Sequence, residues 1–226
     1  MSTELLIVED NAVERAFALK TAEAAGINAL AVENLSQALA AIEEHKPEAI
    51  LTDLFFEAGG ENVETFKDEV LQLVVGYEAE YKEQNKPGPL IKAIDVVNGS
   101  GLSREEFVEK APLPMFQEGA TKAEIQRVLR DFSEAQKNIA SLGGIIDKTK
   151  NGQGLPLGIL VRRLAEERNI PVCIVTSVYH HDIAFNPIRG IIGSHYVDTL
   201  VDGHKNWRRG LAMIKEINAD REIGMR

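Results

Sequence analysis

The sequence has a single cysteine, too few basic residues to balance its acids, and no long apolar run. Each shortage removes a class of protein. Cys173 has no partner for an internal disulfide and lies inside an apolar run, where a small buried hydrophobe is its ordinary role. Lys and Arg number 25 against 35 Asp and Glu, a formal net charge of −10. That is the wrong sign for a groove that must neutralise nucleic-acid phosphates. No stretch approaches the ~20 apolar residues of a membrane span. The first residues enter a strand at once, without the basic and apolar segments of a signal peptide. No Gly-rich phosphate loop follows that strand, and there is neither an internal repeat nor a low-complexity run. The expectation is a cytoplasmic protein that binds neither nucleic acid nor membrane. A hydrophobic fraction of 44% over 226 residues still supplies a full core.

What is present is three short apolar runs that end in acids or a hydroxyl. Leu5-Leu6-Ile7-Val8 leads into Glu9-Asp10, Ile50-Leu51-Thr52 into Asp53, and Val172-Cys173-Ile174-Val175 into Thr176-Ser177. Such runs suit the buried strands of a parallel sheet, although apolarity alone does not separate them from buried helix. In an open α/β sheet, ligands bind beyond the carboxyl ends of the strands. As strands, the three runs would bring Glu9, Asp10, Asp53 and Thr176 to one place.

Between these runs the α/β rhythm is clear. Asn11-Ala-Val-Glu14 has the form of a capping box opening a helix to about Ala25. Asn28 to Val32 reads as a strand, Ser36 to Glu44 as a helix, and residues 1–54 therefore as β-α-β-α-β. From about Glu57 to Gln153 the pattern turns helical and charged. Val63, Phe66, Val70, Leu73, Val74, Tyr77 and Tyr81 recur at helical spacing, the stripe expected of an inserted segment's own core. Leu90 to Val97 fits a strand or a short helix. Ser103-Arg-Glu-Glu106 and Thr121-Lys-Ala-Glu124 are further capping boxes, the second opening a helix towards Gly143-Gly144, with Lys148 to Gly154 as a loop. After Gly154 the rhythm resumes with a helix over Leu157–Arg168, a strand over Pro171–Ser177, a last strand over Tyr196–Val201 and a closing helix from Asn206. The expected organisation is a discontinuous α/β domain, 1–57 and 154–226, carrying a helical subdomain, 58–153.

Leu5 to Asn11, Ile50 to Leu54 and Pro171 to Ser177, with Leu155-Pro-Leu-Gly158 and the helix after it, together resemble the signature segments of response-regulator receiver domains. The resemblance covers about 1–56 and 154–220. It implies a flavodoxin-like, doubly wound parallel sheet of five strands in the order 2-1-3-4-5. It also implies a phosphoacceptor, Asp53, charged by a histidine kinase or histidine phosphotransfer protein. Glu9, Asp10 and Asp53 would hold Mg²⁺, a hard ion suited to carboxylate and phosphate oxygens. Thr176 would hydrogen-bond the phosphoryl group. Receivers carry a lysine, usually followed by proline, at the end of the last strand. Continuing that strand without a gap puts Asp202 at the lysine position, with Lys205 three residues later and no proline. On that basis Thr176 is expected to carry more of the response than Lys205.

Other roles compete for the same residues. Asp53 could cap the next turn through its own backbone, and Glu9-Asp10 could serve only as negative charge at a helix N-terminus. His180-His181-Asp182 reads as a solvent-facing loop, since adjacent histidines rarely share a tetrahedral ion. The leading functional expectation is a phosphoacceptor signalling protein acting through protein contacts, the insertion among them. The alternatives are a binding scaffold of receiver shape that does not switch, and a small phosphoryl-transfer enzyme with the insertion as a lid.

Overall fold

The computed structural model describes residues 4–59, 63–85, 122–151, 155–178 and 188–224. Strands β1 (Leu5–Val8), β2 (Ala29–Val32), β3 (Ala49–Thr52), β4 (Val172–Val175) and β5 (Tyr196–Val197) form one parallel sheet in the order β2-β1-β3-β4-β5. The fold class is thus α/β with a doubly wound five-stranded sheet, as expected. Helices α1 (Ala12–Ala24) and α2 (Leu35–His45) connect the first three strands. Asn11 caps α1 by accepting from the N–H groups of Val13 and Glu14, and Asn34 caps α2 by accepting from Gln37 N–H.

Successive strand residues face opposite sides of a sheet, and the core divides accordingly. Leu6, Val8, Ile50, Val172 and Ile174 join one buried cluster, while Leu5, Ile7, Ala49, Leu51, Cys173 and Val175 join the other. Cys173 is buried, and burial pushes its thiol up to about 12, so it stays a protonated hydrophobe. The second cluster is closed by α1 and by α7 (Trp207–Gly224), which supplies Trp207, Leu211, Ile214 and Ile217.

The insertion contributes α3 (Val63–Gln84) and α4 (Lys122–Lys150), which pack against each other. Asn138 Nδ2 donates to the Tyr81 hydroxyl at 3.0 Å across the pair. Phe66, Val70, Val74, Leu142, Ile145 and Ile146 are buried in the same cluster as Leu6 and Ile174 of the sheet, so the helical pair extends the α/β core. Helix α4 does not stop at Gly143-Gly144; it runs on to Lys150 through part of the expected loop. The burial of Leu142, Ile145 and Ile146 around the glycines outweighs their helix cost of about 1 kcal/mol each. The Ser103–Glu106 capping box, Thr121, the Leu90–Val97 segment and His180-His181-Asp182 lie outside the described residues.

After the insertion come α5 (Gly158–Glu167), β4, the short α6 (Arg189–Ile192) and β5. Here one expectation fails: the last strand does not reach Val201. Strand β5 stops at Val197, and Leu200–Val201 (β6) turns back to pair antiparallel with His204–Lys205 (β7). The turn between them is Asp202-Gly203, with φ of 53° and 82°. A two-residue hairpin turn of type I′ needs positive φ at both positions, which is why Asp-Gly is favoured there. The base of the excursion is closed by Asn206 N–H donating to Thr199 O at 3.1 Å, and Asn206 Oδ1 then caps α7 by accepting from Arg209 N–H.

Candidate functional site

Register places the first two acidic positions side by side. Val8 pairs with Thr52 across β1 and β3, so Glu9 and Asp53 are the next residues on neighbouring strands, and Asp53 N–H donates to Val8 O at 2.9 Å. Both continue the odd-numbered alternation that faces α1 and α7. Glu9 is fully buried and Asp53 is 6% exposed, whereas Asp10 is exposed at the mouth. One carboxylate oxygen from each of Glu9, Asp10 and Asp53 lies within 4.8 Å of the others.

Lys205 completes this cluster. Its Nζ lies 2.5 Å from Glu9 Oε2 and 2.8 Å from Asp53 Oδ2, and the side chain is 6% exposed. The expectation that Asp202 stands at the lysine position is therefore corrected. Asp202 is an exposed residue of the hairpin turn, and the return strand β7 carries Lys205 into the site. The hairpin absorbs the three extra residues that a gapless continuation treats as strand. The remaining acceptors are also engaged: Asp53 Oδ1 takes Leu54 N–H at 2.7 Å, and Glu9 Oε1 takes Asn11 N–H at 3.1 Å. Thr176 is buried at the end of β4; its N–H donates to Val197 O, and its hydroxyl accepts from Val178 N–H at 3.2 Å.

Sequence reasoning passed over two residues of α1 that shape the site. Arg15 Nη1 donates to the carbonyls of Glu9 at 2.7 Å and Asp10 at 2.9 Å, fixing the turn that carries both acids. Glu14 accepts hydrogen bonds from the hairpin segment around Lys205. Basic and acidic residues in a first helical turn gave no signal beyond helix capping.

Close packing fixes Asp53 from the other side. A Cβ on Gly158 would run into the Asp53 carbonyl oxygen and come 3.0 Å from Leu54 Cα. Gly158 N–H also donates to Leu54 O at 3.0 Å, so the start of α5 lies directly on the backbone after β3. Gly158→Ala should cost about 1–3 kcal/mol, the usual range for overpacking. Chemical denaturation measures this, and a cost within error of zero would show that the contact yields freely.

Burial dominates the electrostatics. It pushes Glu9 up to about 7, with the Asp53 charge adding to the rise and Lys205 opposing it. Burial also raises Asp53 against the pull of Lys205. Burial works against the charged form of Lys205, but Asp53 and Glu9 together more than offset this, and its pKa is raised. Glu9 in the folded state therefore binds protons more tightly than the ordinary 4.5 of an unfolded chain. Between those two values the native state holds more protons than the unfolded state, so stability falls as pH rises through that window. Asp53 acts in the same direction. Without divalent cations, denaturation midpoints should fall from about pH 5 to about pH 7, and millimolar Mg²⁺ should flatten the fall by favouring the charged acids. A midpoint that climbs over this range would contradict the burial argument.

The donor set suits a hard cation. It consists of carboxylates without His or Cys, and oxygens around Mg²⁺ at ~2.1 Å are at most ~4.2 Å apart, close to the separation found here. The acids already hold one cation, the Lys205 ammonium. No family model matches the chain, and no curated protein or solved structure matches it at a significant level. Among the described residues, no helix is long and apolar enough to cross a membrane.

Proposed function

We propose that the protein is a phosphoacceptor switch of the response-regulator type, accepting a phosphoryl group on Asp53 and signalling through protein contacts. The observation that carries this is the Lys205 ammonium 2.8 Å from Asp53 Oδ2, with Glu9 at the end of the neighbouring strand. A carboxylate oxygen of Asp53 attacks phosphorus, and the bond from phosphorus to the donor's imidazole nitrogen breaks. The electron pair leaves with the imidazole, which regains a proton. Lys205 would follow charge from the carboxylate to the phosphoryl oxygens, where a fixed cation lowers the barrier. Glu9, Asp10 and Asp53 are the residues that would hold Mg²⁺, whose added charge would offset the gathering oxyanions. Thr176, at the adjacent strand end, is the candidate hydroxyl partner of the phosphoryl group.

The donor class is a phosphohistidine on a histidine kinase or phosphotransfer protein, and a small phosphoramidate stands in for it. Incubated with phosphoramidate and Mg²⁺, the protein should acquire a base-labile phosphoryl group on the peptide containing Asp53, and Asp53→Asn should acquire none. Wild type that stays unmodified at saturating donor would overturn the proposal in favour of a non-switching scaffold. Continuous release of phosphate without lasting modification would favour a phosphoryl-transfer enzyme.

A further inference from the structure

The backbone that carries Lys205 is hydrogen-bonded to a side chain of a different element, Glu14 of α1. Glu14 lies in the first turn of α1, where its spacing from Asn11 suggests a reciprocal capping box. Its carboxylate instead spans 190 residues of sequence. Glu14 Oε1 lies 2.9 Å from His204 Nδ1, and Oε2 accepts from Lys205 N–H at 3.2 Å and from Trp207 Nε1–H at 3.1 Å. These three partners belong to β7 and the first residue of α7, at Lys205 and on both sides of it. The His204 ring also stacks on Phe17 of α1, with centroids 4.4 Å apart.

The hairpin needs such a restraint. Its strands are two residues each, too short for independent stability. Leu200 and Val201 are 52% and 50% exposed, so that strand is not held by burial. Side chains alternate along β7, which sends His204 to α1 and leaves Lys205 to enter the acidic cluster. A lysine has many rotamers to lose, so holding its ammonium between two carboxylates requires its backbone to be fixed first. The Lys205 N–H bond to Glu14 does this at the residue itself.

We propose that Glu14 is a positioning residue, latching β7 onto α1 so that the Lys205 ammonium is held between Glu9 and Asp53. Its consequence for phosphoryl chemistry rests on the function proposed above; the latch itself does not.

The test reads Lys205 directly, in the full-length protein treated with an amine-reactive ester and mapped by peptide mass. Lys205 should react slowly in wild type. In Glu14→Ala its reactivity should rise about tenfold or more through local opening, with Lys20 and Lys215 unchanged. Glu14→Gln keeps one acceptor oxygen for Lys205 and Trp207, and its amide can donate to the His204 tautomer that accepts at Nδ1. That variant should protect Lys205 to within about twofold of wild type. A protected Lys205 in Glu14→Ala, or a rise shared by all lysines, would overturn the latch. Mg²⁺ titration supplies the second arm. Freeing the acids from a competing ammonium should tighten Mg²⁺ binding in Glu14→Ala, and the effect should vanish in a Lys205→Ala background. An equal effect in both backgrounds would mean that Glu14 does not act through Lys205, overturning the assignment. Wild type that binds no Mg²⁺ would count against the proposed function, while the acylation result would still decide the latch.

Discussion

Lys205→Ala should lower folding stability by about 3–5 kcal/mol at neutral to alkaline pH without divalent cations, the range for removing one partner of a buried ion pair. The substitution leaves Glu9, fully buried, and Asp53, 6% exposed, facing each other with no cation between them. Two consequences separate this from ordinary truncation. Acidification should recover much of the loss, because Glu9, already pushed up to about 7, rises further once its ammonium is gone and takes up a proton. Mg²⁺ should recover it as well, because a dication replaces the lost charge and binds only the folded arrangement of acids. Denaturant titrations at two pH values, each with and without Mg²⁺, measure all three effects. A loss below about 1 kcal/mol at alkaline pH would place the ammonium in solvent.

Leu142→Ala, in the insertion, should cost about 2–5 kcal/mol, the range for emptying a fully buried leucine site. Its wider interest is where the loss is felt. Trp207, the only tryptophan, is 1% exposed and belongs to the cluster on the opposite face of the sheet from α3 and α4. Because Leu142 shares its own cluster with Leu6, Val8 and Ile174 of the sheet, fluorescence from Trp207 should report the whole destabilisation in one transition. The sequence suggests a helical subdomain with its own core, and such a unit would unfold without moving the Trp207 transition. The position of that transition distinguishes the two arrangements.

The strands and three acidic positions were legible because their signal is local. An apolar run of four that ends in an acid needs no knowledge of the rest of the chain, and register then aligns Glu9 with Asp53. Lys205 was legible as a candidate but its route into the site was not, for a physical reason. Counting along Tyr196–Val201 assumes an unbroken strand, whereas Thr199 to Asn206 closes on itself around a turn. The signal that could have found it was in the sequence: Asp202-Gly203 flanked by Leu200-Val201 and His204-Lys205 is a hairpin pattern. Glu14 left no such trace. A glutamate three residues after Asn11 satisfies the capping rule, and nothing local says that its partners lie 190 residues away. The run of α4 through Gly143-Gly144 was hidden for the same reason, since only tertiary burial of Ile145 and Ile146 outweighs the glycines.

Phosphorylation of Asp53 is read from the intact mass of wild-type protein incubated with a small acyl-phosphate donor, with and without Mg²⁺. The acidic cluster predicts the addition of one phosphoryl group, dependent on Mg²⁺ and absent in Asp53→Asn. An unchanged mass at every donor and Mg²⁺ concentration, in protein whose melting curve is also indifferent to Mg²⁺, would contradict it.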